Sequence, residues 1–181
     1  THNGGGAYTV EDGGTLMGRG TIGSRVNVKD GGTLCIGDTT VSSVYTTKLN
    51  GGLTINKGGQ LEVPVSYKGA KAVCNKMAVT GTSVINNATL VMNIDKASGM
   101  PDDTGLTVFT KIGTVSGSGF TTIIPEQPSP TQVWDTSTLL KDGKIRVLNK
   151  EKYTAIEGVD SDKKPEEEMY DLSGRRVTSD Y

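Results

Sequence analysis

Three stretches in the first third of the chain share one pattern. YTVEDGGTLMG spans residues 8–18, VNVKDGGTLCIG spans 26–37 and LTINKGGQLEV spans 53–63. Each sets two apolar residues at alternate positions, then a polar pair, Gly-Gly, one polar residue and apolar residues again. A shift of 18 residues lays Val10 on Val28, Asp12 on Asp30, Leu16 on Leu34 and Met17 on Cys35. A further shift of 27 lays Val28 on Ile55, Gly31 on Gly58 and Leu34 on Leu61. A repeat of about 20 residues is the size of one coil of a β-solenoid, and it constrains the fold more than any other feature.

The physical reading follows from the pattern. Alternation puts Val26, Val28, Leu34 and Ile36 on one face and polar side chains on the other. The Gly-Gly pair supplies residues that accept positive φ at a sharp corner. One coil cannot bury its inward face alone, whereas stacked coils make a continuous core. Equivalent strands of successive coils then pair in parallel, about 4.8 Å apart. Met17, Cys35 and Glu62 are expected on the outward face, opposite Leu16, Leu34 and Leu61.

The same repeat disposes of a competing motif. Gly18, Gly20 and Gly23 spell G-x-G-x-x-G, which in a dinucleotide-binding fold must follow a strand and open a helix. Here SRVNVKDGG follows, with Val26 and Val28 at strand spacing and a turn at Asp30-Gly31-Gly32. No helix fits, so these glycines read as another corner of the solenoid. Gly makes up 25 of 181 residues, about twice the share of roughly 7% in ordinary chains, without the three-residue period of collagen.

The later chain departs from the repeat. Residues 76–95 keep the alternation through Met77, Val79, Val84, Leu90, Met92 and Ile94. Residues 105–123 hold two strand-like runs around a Gly-Ser turn. Residues 131–149 read as strand, hairpin turn at Lys141-Asp142-Gly143, and strand through Ile145 and Val147. These segments are expected to cap the solenoid and cover its last open edge. The expected division is coils in 1–95, a β-rich cap in 96–149, and a charged linker with a tail in 150–181. The fold class is all-β: a right-handed parallel β-helix, or β-solenoid, with a β-rich C-terminal cap. The first coil is expected to stack on coils upstream, so Thr1 is not expected to be the natural start of the fold.

Two resemblances enter here. GRGTIGSRVNVKDGGTLCIGD is similar to the passenger-domain repeats of autotransporters and of autotransporter-associated β-strand proteins. The pieces MAVTGTSVINNATLVMNI, LTVFTKIGTVSGSGFTTI and VWDTSTLLKDGKIRV resemble the end of such a passenger, so this likeness spans residues 5–149. In the tail, TAIEGVD (154–160) and MYDLSGRRV (169–177) resemble the start of C-terminal sorting domains of type IX secretion, and the usual further strand and basic end are missing. The resemblance implies an extracellular or outer cell-surface protein, with a polysaccharide or a host or cell-surface glycan as candidate partner.

Candidate chemistry is sparse. The single histidine, His2, sits at the terminus with almost no chain to hold it, which disfavours a Ser-His or Cys-His nucleophile. Cys35 and Cys74 form no C-x-x-C pair, which disfavours a zinc site; a Cys35–Cys74 disulfide and two separately packed thiols remain open. Asp12 and Asp30 read as turn residues, and Lys57 breaks any acidic ladder. Asp38, Asp102 and Asp103 are loop carboxylates, without the repeat of calcium-binding β-rolls. Trp134 is expected in the core of the cap. Tyr45 and Tyr67, in loop-like stretches, are the candidate ligand-binding residues, as rings on which a sugar could stack. No catalytic residue, metal ligand or cofactor is assigned. The net charge of −1 gives no reason for nucleic acid as partner, and no apolar run is long enough for a transmembrane segment. Three functions compete: a non-catalytic structural stalk or cap, a carbohydrate-binding or adhesin module, and the end of a β-helix polysaccharide lyase or glycoside hydrolase with its active site upstream.

Overall fold

A computed structural model describes residues 6–38, 41, 43–68, 71–94, 100–157, 169–170 and 176–177. The chain divides into two units, Thr1–Lys150 and Glu151–Tyr181. The first is an all-β solenoid whose strands recur in a fixed cycle. The first passage is β1 (Tyr8–Val10), β2 (Thr15–Gly18) and β3 (Thr21–Ile22). The second is β4 (Val26–Val28), β5 (Thr33–Ile36) and β6 (Thr46–Leu49). The third is β7 (Leu53–Ile55), β8 (Gln60–Lys68), β9 (Lys71–Cys74) and β10 (Lys76–Val79). Then come β11 (Ser83–Ile85), β12 (Ala88–Ile94), β13 (Gly105–Thr107) and β14 (Phe109–Lys111), followed by β15 (Val115–Ser116) and β16 (Phe120–Ile124).

Three parallel sheets run along the stack. Sheet I is β1-β4-β7-β11-β15, sheet II is β2-β5-β8-β12-β16 and sheet III is β3-β6-β10-β14. The registers reproduce the offsets of the repeat: Val10 pairs with Val28, Val28 with Ile55, Leu16 with Leu34, Leu34 with Leu61 and Met17 with Cys35. Inward residues of all three sheets meet in one core, with Val28, Ile55 and Ile85 from sheet I, Leu34, Leu61 and Leu90 from sheet II, and Leu49, Met77 and Phe109 from sheet III. Burying each of these side chains contributes about 1.5–3 kcal/mol.

The Gly-Gly corners explain themselves through stacking. Gly31 and Gly58 have φ of 70° and 77°, in the left-handed region that L side chains avoid. A Cβ at Gly31 would overlap Asp12 Oδ1, and one at Gly58 would overlap Asp30 Oδ1. Each Asp thus packs over the glycine of the next coil. The corner backbones also bond along the stack: Gly13 N–H donates to Gly31 O (3.2 Å) and Gly31 N–H to Gly58 O (3.3 Å). Where the motif lapses, Asn87 takes the left-handed conformation instead, at φ 44°, a role Asn fills more readily than other side chains.

The parallel stack runs past residue 95, through β16 at Phe120–Ile124. Strands β14–β16, two to five residues long, belong to the coils and not to the cap. The cap is built from β17 (Gln132–Asp135), α1 (Leu139–Asp142) and β18 (Lys144–Asn149), with β13 reaching in to complete an antiparallel sheet of order β13-β18-β17. The connection at Lys141–Gly143 is a one-turn helix where a hairpin turn was expected. Val108 and Phe109 N–H both donate to Gly143 O (2.9 and 3.0 Å), which ties the cap to the last strand of sheet III. Trp134 packs against the core and donates Nε1–H to Pro125 O (2.9 Å).

The second unit holds α2 (Lys150–Glu157) from its second residue on, then a two-stranded antiparallel ladder of β19 (Met169–Tyr170) and β20 (Arg176–Val177). The charged run DSDKKPEEE at 160–168, the core of the expected linker, lies outside the described residues. So does His2. Among the described residues no helix is long and apolar enough to cross a membrane.

Candidate functional site

The coils lengthen along the chain, and they do so at one corner. Successive partners in sheet I are Tyr8, Val26, Leu53, Ser83 and Val115, steps of 18, 27, 30 and 32 residues. The corner from sheet III to sheet I is always three residues, at 23–25, 50–52, 80–82 and 112–114. The corner from sheet I to sheet II is four residues in the first three coils and shorter in the next two. The corner from sheet II to sheet III holds residues 19–20, then 37–45, then the β8–β9 hairpin, then 95–108. Loops carry variation and function on a rigid frame, so this third corner is the candidate site.

Both sequence-derived candidates, Tyr45 and Tyr67, fall on it. Tyr45 ends the 37–45 segment and is 36% exposed. Arg19, from the equivalent corner one coil earlier, lies over its ring with the guanidinium carbon 3.8 Å from the centroid. Arg19 is held in turn by Asp38: Nε–H donates to Oδ1 (2.8 Å), and Nη2 pairs with Oδ2. This fork fixes the ring and closes one of its faces to a sugar. Tyr67 lies in the part of β8 that pairs with β9, opposite Ala72, and packs against the core. Burial raises its hydroxyl pKa above the ordinary value. Two clefts open nearby. One of about 260 Å³ is lined by residues including Val44, Lys71, Lys76 and Leu106, and another of about 500 Å³ by Lys71 and Pro101–Gly105. Neither tyrosine lines either cleft, so the two rings do not converge on one ligand.

Asn75 organises this corner, and the sequence reading missed it. It is 1% exposed. Its Nδ2–H donates to Ile36 O and its Oδ1 accepts from Tyr45 N–H, both at 3.1 Å. One side chain therefore pins both ends of the 37–45 segment to the next coil. The partners lie 39 and 30 residues away, so no local pattern could announce it. Asp102 is likewise structural: Oδ1 accepts from Gln132 Nε2 (2.8 Å) and Oδ2 from Asn149 Nδ2 (3.0 Å).

The two cysteines are separate, buried thiols. Burial pushes Cys35 up to about 12, with Glu62 and Asp38 adding to the effect. Burial also pushes Cys74 up to about 12, partly opposed by Lys76, and its Sγ–H donates to Thr107 O (3.5 Å). The thiolate is the reactive form. A thiol-specific reagent at neutral pH is therefore expected to modify neither cysteine until the protein unfolds. Because an unfolded thiol ionises from about 9 while the folded thiols hold their protons to about 12, stability is expected to fall as pH rises through that window. Reagent uptake by the native fold, or flat stability between pH 9 and 12, would contradict this.

Among the described residues no group of three or more His, Cys, Asp or Glu is placed to hold a metal ion. No family model matches the chain, and comparison with curated proteins and with solved structures finds no match.

Proposed function

We propose that this chain is a non-catalytic structural segment, a stalk that ends in its own cap, of a secreted or cell-surface protein. One observation carries the reading: the two ends of the solenoid differ. At the far end the cap buries Leu106, Phe109, Leu139, Ile145 and Val147. At the near end, among the described residues, β1, β2 and β3 each have a paired neighbour on one side only. Their inward residues Tyr8, Leu16 and Ile22 stay partly exposed, around a cavity of about 310 Å³. An end with three free strand edges and an uncovered core fits further coils stacking on it. The likeness of residues 5–149 to passenger-domain repeats supports the secreted or cell-surface setting.

The test is to insert a second copy of residues 8–25 immediately before Tyr8, which the 18-residue step places one coil higher in register. The added coil is expected to raise Tm by about 4 °C or more. A folded variant with unchanged or lower Tm would sink the stacking reading.

A further inference from the structure

Each sheet of the solenoid has an outward face, and charge is not shared evenly among the three. On sheet I the outward column is Thr9, Asn27, Thr54, Val84 and Ser116, all uncharged. On sheet II the columns in register are Thr15, Thr33, Gln60 and Thr89, and Met17, Cys35, Glu62 and Val91, with Cys35 covered despite its expected outward place and Glu62 the one charge. On sheet III the outward positions are Thr21, Thr46, Lys48, Lys76, Ala78 and Lys111. Three lysines stand there, and no carboxylate does.

The registers align them. Thr21 pairs with Lys48, Lys48 with Ala78 and Ala78 with Lys111, so Lys48 and Lys111 share one column two strands apart. Lys76 stands on the strand between them, two residues from Ala78, opposite Thr46. A bulge between Met77 and Ala78 sets Lys111 in this column. Without it Lys111 would oppose Val79, which is buried; the bulge thus keeps this ammonium out of the core and on the face. Lys48 and Lys111 are exposed, and the adjoining corner at 23–25, 50–52, 80–82 and 112–114 contains no acid.

We propose that the outward face of sheet III binds an extended anionic polysaccharide of the polyuronate class. Charge complementarity selects an anion. Two strands span about 9.6 Å, comparable to the disaccharide repeat of an extended polyuronate, so alternate carboxylates can meet successive lysines along the solenoid axis. The small Thr21, Thr46 and Ala78 leave the face low enough for a chain to lie across it. Nucleic acid fits less well, because the face has no aromatic ring on which bases could stack.

The experiment measures affinity of the full chain for polygalacturonate, with neutral dextran and single-stranded DNA alongside, at about 50 and 200 mM salt. Binding to polygalacturonate alone is expected, weakening as salt rises. The triple variant Lys48→Gln, Lys76→Gln, Lys111→Gln is expected to lose at least about tenfold in affinity, equal to about 1.4 kcal/mol. The cap variant Lys141→Gln, Lys144→Gln is expected to bind as the parent does. All five substitutions are at exposed or half-buried surface positions, and circular dichroism checks that each variant folds. No binding at low salt, equal loss in the cap variant, or equal affinity for DNA would overturn the proposal.

Discussion

Gly58→Ala is expected to lower the free energy of unfolding by about 1–2 kcal/mol. Two effects add. Holding an L side chain at φ 77° costs about 1–2 kcal/mol. The new Cβ also overlaps Asp30 Oδ1 from the coil above, the far end of an exposed side chain that can swing aside, so this packing effect is the smaller one. The second effect is separable. Asp30→Ala removes the clashing carboxylate, so the double variant is expected to recover the packing part and keep the backbone part. Denaturant unfolding of the four proteins in the cycle measures both. A Gly58→Ala cost below about 0.5 kcal/mol, the scatter of ordinary surface changes, would mean that the corner does not need glycine.

Asn75→Leu is expected to cost more, about 3 kcal/mol, because the branched shape is kept while both hydrogen bonds are lost and two bulkier methyl groups replace the amide. Ile36 O and Tyr45 N–H are left without the partners they have now, and an unsatisfied buried group costs about 1–3 kcal/mol. Hydrogen exchange localises the damage: the Tyr45 amide is expected to lose protection ahead of amides in sheet I. Asn75→Asp sharpens the point. Its acceptor serves Tyr45 N–H, while its donor to Ile36 O exists only when the carboxyl is protonated. That variant is expected to gain stability as pH falls, the sign of a buried carboxyl whose pKa is raised. Uniform loss of protection, or a variant as stable as the parent, would remove Asn75 from this role.

The early coils were legible because their corners repeat. The shifts of 18 and 27 residues recur as the pairing registers, down to Met17 over Cys35 and Cys35 over Glu62. The later coils were harder to read for identifiable reasons. Asn87-Ala88 stands where Gly58-Gly59 stood one coil earlier, and bulges at Thr110 and Thr121, opposite Met77/Ala78 and Ala88/Thr89, break the alternation of the later strands. Strands such as Val115–Ser116 are too short to show a period. The candidate site was legible only as loop-like sequence holding two tyrosines. What sets the ring of Tyr45 is Arg19, from a different coil. The sheet III lysines escaped notice because Lys48, Lys76 and Lys111 are far apart in sequence and align only once the strands are stacked.

The geometry of the three corners has a consequence for how such a chain tolerates change. Two vertices of each coil hold their length to within two residues, and the third ranges from two residues to fourteen. An insertion at that third vertex leaves the strands before and after it where they were, because neighbouring coils fix their register through the other two. Sequence can therefore be added or rewritten on one edge of the column while its cross-section stays the same. The architecture separates the part that carries shape from the part that is free to diversify.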